Sequence, residues 1–268
     1  LVQFLVQNGQ FYFVFHFSWL LSFFELTFSY KLRYNHSILI ERGISMLTPR
    51  YYYAEDFRAF YEYFLSQPHV KRAFQKGEYL WQAGKPYEKI HYILSGAEMF
   101  YADHENGHRK IISFHGPGTV FPGYRQKDFK IELSLTTAAL SDMEVLEFTV
   151  PQFRAMFESN TALSECVIDW YSTFTNLFLF ETIHQGYNPL QVKICNLLYL
   201  LSTGTPASSE LFVDHTQDEL AELLGISRVQ LSRGLSALRE QGIISTSRGK
   251  LCVTDIAALK GLCSSETV

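Results

Sequence analysis

The chain has little cysteine and no excess of cationic side chains. Its 268 residues contain four isolated cysteines with no CxxC pair: Cys166, Cys195, Cys252 and Cys263. This spacing excludes a disulfide-scaffolded domain, a zinc finger and a clustered iron–sulfur site. The 23 Lys and Arg residues against 27 Asp and Glu residues give a net charge of −4. That balance excludes a histone-like protein that binds polyanions by bulk charge, but it allows a local basic patch.

The sequence also lacks the motifs of common enzyme classes. It contains no phosphate-binding loop, no nucleophile elbow and no metal-ligand spacing, and its scattered Ser and His residues form no triad pattern. Hydrophobic residues make up 47% and charged residues 19%, which is typical of a folded protein. A chain of this length predicts two domains. We therefore expect a globular protein that is not an enzyme and has no metal or cofactor.

Charge is nearly absent from the start of the chain. Residues 1–30 carry one charged side chain, Glu25, among many aromatic and aliphatic residues. Three interpretations compete: residues 1–45 precede a true translation start at Met46, they form a buried or disordered extension, or residues 1–30 anchor the protein in a membrane. A charge inside a membrane is costly, so Glu25 and the nearby His16 oppose the anchor. We expect no stable membrane association and a cytoplasmic location.

Residues 76–148 alternate apolar and polar side chains between turn signals. Asn106 and Gly107 form a hairpin turn signal between two alternating segments, 97–102 and 108–114, because both residues accept positive φ at low cost. Several short strands at this spacing predict an antiparallel β-sandwich or barrel.

The hydrophobic period changes after Pro151. Large apolar side chains then advance by four, three, four and three residues along a helix predicted from Thr161 to Gln185. Such a stripe also suits a helix packed on its own domain's core, but its width, which extends to Tyr171 and Phe178, favours a dimerisation helix. The predicted dimer seam comprises Leu163, Val167, Trp170, Phe174 and Leu177.

Two helix-capping boxes lie eleven residues apart in the last third of the chain. Thr216 and Glu219 begin one helix, and Ser227 and Gln230 begin the next. Gly225, between the two helices, can adopt the left-handed conformation that a tight turn needs. Because leucines of both helices fall on faces that can be buried together, the spacing predicts a helix-turn-helix.

The second of these helices has a small, polar and cationic outer face. It lies in a basic stretch, residues 226–250, whereas residues 210–222 are acidic. A hairpin with a basic tip follows as a wing that can contact phosphate. The predicted DNA-contacting residues are Thr216, Gln217, Ser227, Arg228, Val229, Ser232, Arg233, Ser236, Arg248 and Lys250.

These motifs resemble the cyclic-AMP receptor/FNR superfamily of bacterial transcription factors over roughly residues 55–262. The segment 216–233, TQDELAELLGISRVQLSR, is very similar to the DNA-binding signature of the family. The resemblance implies an α+β fold with an antiparallel β-roll (a double-stranded β-helix or jelly roll) as effector domain at 46–158, a long dimerisation helix at 159–187 and a winged helix-turn-helix at 188–268. The matching β-roll motifs are Lys76-Gly77-Glu78, Ala83-Gly84, Ile93-Leu94-Ser95-Gly96, Asn106-Gly107 and Gly116-Pro117-Gly118-Thr119-Val120-Phe121.

The resemblance also implies roles at the DNA. Arg228 and Arg233 match base- and phosphate-contacting arginines of the family. Val229 stands where many relatives have a glutamate that reads cytosine, and valine can contact only a thymine methyl there. We expect a homodimer on double-stranded DNA with a two-fold-symmetric operator that differs from the cyclic-AMP-receptor consensus, with RNA polymerase as a further partner.

The sensor pocket departs from the family's cyclic-nucleotide cassette. The ribose-binding Gly-Glu is replaced by Pro122-Gly123, and the phosphate-binding Arg-Ser or Arg-Thr pair by Leu133-Ser134. Without that arginine a buried phosphate loses its bidentate partner, so we expect a small organic effector rather than cyclic AMP or cyclic GMP. Nothing favours haem, since the candidate histidines fit ordinary strand and turn positions: His91, His104, His108 and His115.

The sensor half and the stretch from Phe174 to Pro189 look most like the halorespiration regulators of this superfamily, which sense chlorinated aromatics. An aromatic wall with a cation would suit an aromatic phenolate or carboxylate. Two alternatives stay open, a regulator without an effector and a membrane-anchored sensor. The candidate effector-binding residues, which also suit loop charges and dimer core, are Tyr124, Arg125, Lys127, Lys130, Tyr171 and Phe174.

Overall fold

The computed structural model describes residues 2–7, 10–15, 46–127, 129–203, 212–213, 215–247 and 250–268. The chain divides into two units, Leu1–Leu47 and Thr48–Val268. In the first unit, β1 (Val2–Gln7) and β2 (Gln10–Phe15) pair as an antiparallel hairpin. The rest of the predicted extension, residues 16–45, lies outside the described residues. Within the described parts of the chain, none of the helices combines the length and the hydropathy needed to cross a bilayer.

The N-terminal part of the second unit consists of two sheets around a shared apolar core. In chain order its strands are β3 (Tyr52–Tyr53), β4 (Val70–Phe74), β5 (Tyr79–Trp81), β6 (Lys89–Ser95), β7 (Glu98–Asp103), β8 (Arg109–His115), β9 (Val120–Phe121), β10 (Leu135–Ala139) and β11 (Met143–Thr149). One sheet has the order β3-β8-β7-β10-β5 and the other β4-β11-β6-β9. Neighbouring strands are antiparallel except β3 and β8. This architecture confirms the predicted β-roll.

The hairpin of β7 and β8 forms where the sequence predicts it. Asp103 pairs with Arg109 at the end of the ladder, and Gly107 occupies the turn with φ of +83°. The side-chain oxygen of Asn106 accepts a hydrogen bond from the backbone N–H of His108 at 3.2 Å. Asparagine and glycine therefore close this turn through local interactions.

Helices dominate the rest of the unit. A 3-10 helix (Arg58–Phe60) and α1 (Tyr61–Ser66) precede β4, and a second 3-10 helix (Lys130–Ser134) connects β9 to β10. After β11 come α2 (Val150–Ser159), α3 (Thr161–Tyr187), α4 (Leu190–Thr203), α5 (Gln217–Leu224), α6 (Arg228–Glu240) and α7 (Ile256–Gly261). A small sheet has the order β12 (Phe212–Val213), β14 (Lys250–Val253), β13 (Ile244–Ser247).

The long helix α3 matches the predicted helix, but its predicted dimer seam is wrong. All five seam residues are buried within this one chain: Leu163, Val167, Trp170, Phe174 and Leu177. The indole of Trp170 stacks on Phe174 and meets the ring of Phe121 of the β-roll edge to face. A four-three spacing describes any helix that covers an apolar surface, so it did not distinguish the chain's own sheet from a second chain.

A different face of α3 is apolar and exposed. Leu179 is 60% exposed and Ile183 50%. Further exposed apolar residues on α3 are Ile168, Phe178 and Tyr187. Leu179 and Ile183 follow Ile168 by eleven and fifteen residues, about three and four helical turns, so the three side chains share one face. At 100° per residue, this face lies on the side of the helix opposite the buried stripe.

Candidate DNA-binding surface and effector cavity

Both predicted capping boxes are present in the helix-turn-helix. The hydroxyl of Thr216 accepts from the backbone N–H of Glu219 at 3.2 Å, and the Glu219 carboxylate accepts from the Thr216 N–H at 2.7 Å. Ser227 and Gln230 make the same reciprocal pair at 3.3 and 3.0 Å. Gly225 ends α5 with φ of +63°. These local bonds fix where each helix begins and how the chain turns between them.

The outer face of α6 carries the residues predicted to read DNA. Leu231, Leu235 and Leu238 are buried on the inner face. Val229 is 60% exposed at the start of the helix, and Arg228 donates to Asp218 of α5 at 3.2 Å while it remains largely exposed. The other predicted contacts on this helix are exposed as well: Ser232, Arg233 and Ser236.

The remaining predicted DNA contacts flank α6. Thr216 and Ser227 are exposed at the N-termini of α5 and α6, and Gln217 is half-buried. β13 and β14 form the predicted wing, in which Ser247 pairs with Lys250. Arg248, which follows Ser247 in the chain, lies outside the described residues.

Gly234 sets the packing of α6 and was missed by the sequence analysis. A Cβ atom built on Gly234 would lie 2.3 Å from Cδ1 of Ile194 on α4. A side chain at position 234 would therefore displace the end of the Ile194 side chain, and glycine allows this close contact between the two helices. The available signal was a glycine in the middle of an otherwise regular helix, where it costs stability unless packing requires it.

An apolar cavity of about 290 Å³ lies between the β-roll and α3. Its walls are aromatic and its polar members are few, which is typical of a site for a small organic molecule. The volume is near the lower end of the 300–1,000 Å³ that such sites span, so it suits a ligand with a single ring. The lining residues include Trp81, Phe100, Phe121, Arg125, Phe129, Glu132, Trp170, Tyr171, Phe174 and Phe178.

Arg125 brings the single positive charge to the described lining of this cavity. Its guanidinium donates to Glu132 and lies over the ring of Tyr87, 3.9 Å from the centroid. The Nε atom of Arg125 is buried and has no hydrogen-bond partner among the described residues. Glu132 is itself held by the backbone N–H of Phe129 at 2.9 Å. The arginine is thus fixed on one side, and its Nε–H is buried without a partner among the described residues.

Polar groups of α3 also line the cavity, from Trp170, Tyr171 and Thr175. The indole Nε1–H of Trp170 is buried and, within the described part of the chain, unpartnered. The Tyr171 hydroxyl donates to the carbonyl of Tyr124 at 2.9 Å, and burial raises the pKa of Tyr171 to about 12, although nearby Arg125 lowers it. Tyr171 is therefore a neutral donor that links α3 to the β-roll.

The cavity unites only part of the predicted effector set. Arg125, Tyr171 and Phe174 line it. Tyr124 is buried beside it, with its ring centroid 5.0 Å from that of Phe157. Lys127 and Lys130 are exposed and are absent from the described lining. Several lining residues lie outside the predicted effector set, among them Glu132 and Trp170, which the helical spacing had placed in a dimer seam.

Of the two positions that depart from the cyclic-nucleotide cassette, the first lies at this cavity, whereas the second is absent from its described lining. Pro122 and Gly123 belong to its lining, and a Cβ atom on Gly123 would lie 2.7 Å from both Trp170 and the Tyr171 hydroxyl. Leu133 and Ser134 end the second 3-10 helix, and Leu133 is 67% exposed. The cavity wall is therefore closed by aromatic side chains of α3 packed on a glycine.

Glu98 and His115 form a buried pair next to the cavity wall. Oε1 of Glu98 lies 3.4 Å from Nδ1 of His115, and both side chains are inaccessible to solvent. Burial raises the pKa of Glu98, and burial together with Arg50 lowers the pKa of His115. The His115 ring stacks on Phe121 at a centroid distance of 3.7 Å. Both shifts favour neutral forms, which suits an apolar sensor interior.

Two segments match protein-family models. Residues 192–262 match the Crp-like helix-turn-helix domain, and residues 71–160 match the cyclic nucleotide-binding domain. The global nitrogen regulator of Synechocystis sp. is 23% identical over 204 residues, which are 72% of this chain and 88% of that protein. The cAMP-activated global transcriptional regulator CRP of Salmonella typhimurium is 25% identical over 210 residues, 72% of this chain and 92% of that protein.

Solved structures share the fold at lower sequence identity. FixK2 from Bradyrhizobium japonicum superposes with a TM-score of 0.65 at 17% identity, over 74% of this chain and 98% of that one. A structure of CprK complexed with OCPA has a TM-score of 0.65 at 16% identity, over 81% of this chain and all of that one. The arrangement of β-roll, long helix and helix-turn-helix is therefore common to these proteins and to this chain.

Proposed function

Because the chain belongs to the cyclic-AMP receptor/FNR family of DNA-binding transcription regulators, we propose that it is a homodimer controlled by a small aromatic anion rather than by a cyclic nucleotide. Its relatives are transcription regulators, in line with the prediction that it is not an enzyme. The effector-binding domain is the β-roll, and the DNA-binding domain is the winged helix-turn-helix. We further propose that it acts in the cytoplasm, on a two-fold-symmetric operator, together with RNA polymerase.

The surface of α6 supports sequence-specific recognition in the major groove. Its exposed predicted contacts are short or cationic, so the helix can approach base edges closely, and its N-terminal end carries Arg228 and Val229. In a homodimer, two such helices bind half-sites one DNA turn, about 34 Å, apart. Valine at position 229 favours a thymine methyl over a cytosine amino group.

The exposed apolar face of α3 supports the homodimer. Leucine and isoleucine that are half or more exposed along one helical face form a patch that soluble proteins usually bury against a partner. This face lies opposite the stripe that packs on the β-roll. We propose that a second copy of the chain covers it in an antiparallel or parallel pair of long helices.

Replacing Leu179 and Ile183 together with glutamate is expected to convert the dimer to a monomer at micromolar concentration. Burying a carboxylate in an apolar interface without a partner costs several kcal/mol. Light scattering coupled to size exclusion measures the mass, and circular dichroism shows that the helices remain. Leu65→Glu, on the exposed side of α1, is the matched control and should leave the dimer intact. If the double variant remained dimeric, the dimer interface would have to lie on another surface of the chain.

The single observation that carries the effector proposal is the pair of unpartnered donors in an aromatic cavity. Arg125 Nε–H and Trp170 Nε1–H are both buried without a partner among the described residues, and both residues line the cavity. A buried donor left unpaired costs about 1–3 kcal/mol, so a ligand with acceptor oxygens would recover that free energy. A planar ring between Phe100, Phe121 and Phe174 would fill the rest of the space.

A cyclic nucleotide fits this cavity poorly. The ribose-binding glutamate of the family is replaced by Gly123, on which Trp170 and Tyr171 pack. Position 133, where the family has an arginine for the cyclic phosphate, is an exposed leucine. Arg125 is already bonded to Glu132, so it does not replace the free arginine that the family provides for the cyclic phosphate. CprK, which shares the fold, is described as complexed with OCPA.

Thermal unfolding of the full chain tests the ligand class directly. The ligands are cyclic AMP, cyclic GMP, aromatic carboxylates and halogenated phenols. A ligand at 100 times its dissociation constant stabilises the folded state by about 2.7 kcal/mol, which raises the Tm by several degrees. We expect a rise with one or more aromatic anions. A rise with a cyclic nucleotide alone would contradict the proposal, and other residues would then bind the phosphate.

A further inference from the structure

Lys110 joins the sensor domain to the long helix and to the DNA-binding domain. Its Nζ atom, on β8, donates to the Glu181 carboxylate of α3 at 2.5 Å and also to the backbone carbonyl of Leu223. Leu223 lies in the last turn of α5, where the backbone carbonyls lack partners within the helix and form the negative end of the helix dipole. The Tyr51 hydroxyl donates to the other oxygen of Glu181. Three parts of the molecule therefore meet at one ammonium group.

The same strand also contacts the other end of α5. The ring of His215, directly before the N-cap of α5, stacks on Phe114 of β8 with centroids 4.6 Å apart and planes 22° apart. The first helix of the helix-turn-helix is thus attached to β8 at its start by a ring contact and at its end by Lys110. The contacts at His215 and Leu223 lie eight residues apart, so together they fix the orientation of α5 as well as its position.

Glu181 connects this attachment to the effector cavity. Phe174 and Phe178 line the cavity, and Glu181 follows Phe178 by three residues on α3. Residues three apart are neighbours on a helix surface. A ligand that moves this turn of α3 therefore also moves the carboxylate that holds Lys110.

The attachment places the β7–β8 hairpin beside the recognition helix. A cleft of about 830 Å³ separates them, with His104, His108 and Arg109 on the hairpin side and Ser227 and Gln230 at the start of α6. The N-terminal end of a recognition helix is the part that enters the major groove. With α5 bound to β8, the sensor hairpin lies where the flank of the DNA would approach that end.

We propose that Lys110, held by Glu181, is an autoinhibitory latch that keeps the helix-turn-helix docked on the sensor hairpin until effector binding shifts α3. This inference rests on the proposed function, because it requires that the chain bind both DNA and an effector. Lys110 acts through Glu181 and α5 and is a positioning residue, without a contact to effector or DNA. Release of the latch frees the DNA-binding domain to reorient about the connection between α3 and α4.

Substitutions at two residues of opposite charge distinguish the latch from a general effect of charge on DNA affinity. Lys110→Met removes the ammonium and keeps the length of the side chain, and Glu181→Gln keeps an acceptor for Tyr51 while it removes the charge that holds Lys110. DNA ligands are selected from random duplexes by the unmodified full chain, and affinity is measured without added effector. We expect both variants to bind about fivefold or more tightly than the unmodified protein, and the double variant to bind no more tightly than either.

Simple charge effects predict a different result. A lost lysine would weaken DNA binding and a lost glutamate would strengthen it, so shifts in opposite directions would overturn the latch. Unchanged affinity in both variants, or a decrease in both, would overturn it equally. Lys71→Met is the matched control, since Lys71 on β4 also pairs with a glutamate, Glu144, at 2.9 Å, but in the other sheet.

Hydrogen exchange of the full chain provides a readout that does not depend on DNA. We expect the amides of α5 to exchange faster in Lys110→Met, with those of β6 and β11 unchanged, since only the docking contact is lost. If the unmodified chain selects no DNA, the proposed function fails, yet the exchange experiment still tests the latch. Equal exchange of α5 in the variant and the unmodified chain would show that Lys110 does not hold the domain.

Discussion

Alanine at both Arg228 and Arg233 is expected to reduce operator affinity by about 100-fold or more. A base-reading or phosphate contact of an arginine contributes about 1–3 kcal/mol, so two contacts of middle strength total about 4 kcal/mol, more than the roughly 2.8 kcal/mol that corresponds to 100-fold. Both side chains are exposed on α6, apart from the bond of Arg228 to Asp218. Their removal should therefore leave the Tm within a degree or two, which separates loss of recognition from loss of folding.

Fluorescence anisotropy with a selected duplex, at one fixed salt concentration, measures this effect. The salt concentration must be held constant because phosphate contacts make affinity depend steeply on it. Arg154→Ala is the matched control: Arg154 is an exposed arginine of α2 that pairs with Glu158 at 2.7 Å. We expect the control to bind as the unmodified protein does. Operator binding that survived both recognition-helix changes would mean that α6 does not read the DNA.

Glutamine at Arg125 is expected to weaken binding of the aromatic anion by about 30-fold. A hydrogen bond to a charged partner contributes about 1.5–3 kcal/mol, and the ligand anion would otherwise be buried without a countercharge. Arg125→Lys should have an intermediate effect, since lysine keeps the charge but lacks the planar Nε–H donor. Trp170→Phe should cost about fivefold, because it removes one neutral donor and preserves the ring.

Isothermal titration with the anion that gives the largest melting shift measures these affinities. Lys127→Gln and Lys130→Gln are the controls, because the structure places both lysines on the surface outside the described cavity lining. We expect both to bind within twofold of the unmodified protein. A larger loss at Lys130 than at Arg125 would show that the effector binds in the loop instead of the cavity. Thermal unfolding without ligand checks that the Arg125 variants remain folded although Glu132 has lost its ion pair.

The bond between Arg125 and Glu132 matters for the strength of this site. Glu132 accepts from the Phe129 backbone as well as from the guanidinium, so the ion pair is anchored to the second 3-10 helix. Tyr87 lies against the face of the same guanidinium. An arginine fixed in this way loses little side-chain entropy when a ligand binds, which makes each new hydrogen bond more effective.

The helix-turn-helix could be predicted almost residue by residue. Its signals are capping residues three positions apart, a glycine at a turn and leucines at helical spacing, and each acts over one or two turns of chain. Thr216, Ser227 and Gly225 have the predicted roles because these roles depend on neighbouring backbone groups. The β7–β8 hairpin was predictable for the same reason, since Asn106 and Gly107 close it locally.

The dimer seam and the effector site could be predicted only in part. The apolar stripe of α3 was found, but whether it faced its own domain or a second chain depends on what covers it. Trp170 packs against Phe121, about fifty residues earlier in the chain, and the Glu132–Arg125 pair lines the same cavity as that tryptophan. Contacts between residues so far apart in the chain produce no periodic pattern in the sequence.

By itself, the sequence determined the family resemblance, the β-roll with its long helix, and the exposed, cationic face of α6, because these follow from local motifs, local hydrogen bonds and hydrophobic period. Only the tertiary structure decided which face of α3 is buried, that Arg125 and Trp170, each with a buried donor that lacks a partner among the described residues, line one cavity, and that Lys110 joins β8 to α5. These features arise from side chains far apart in sequence, and the free energy of their contacts depends on how separate elements pack.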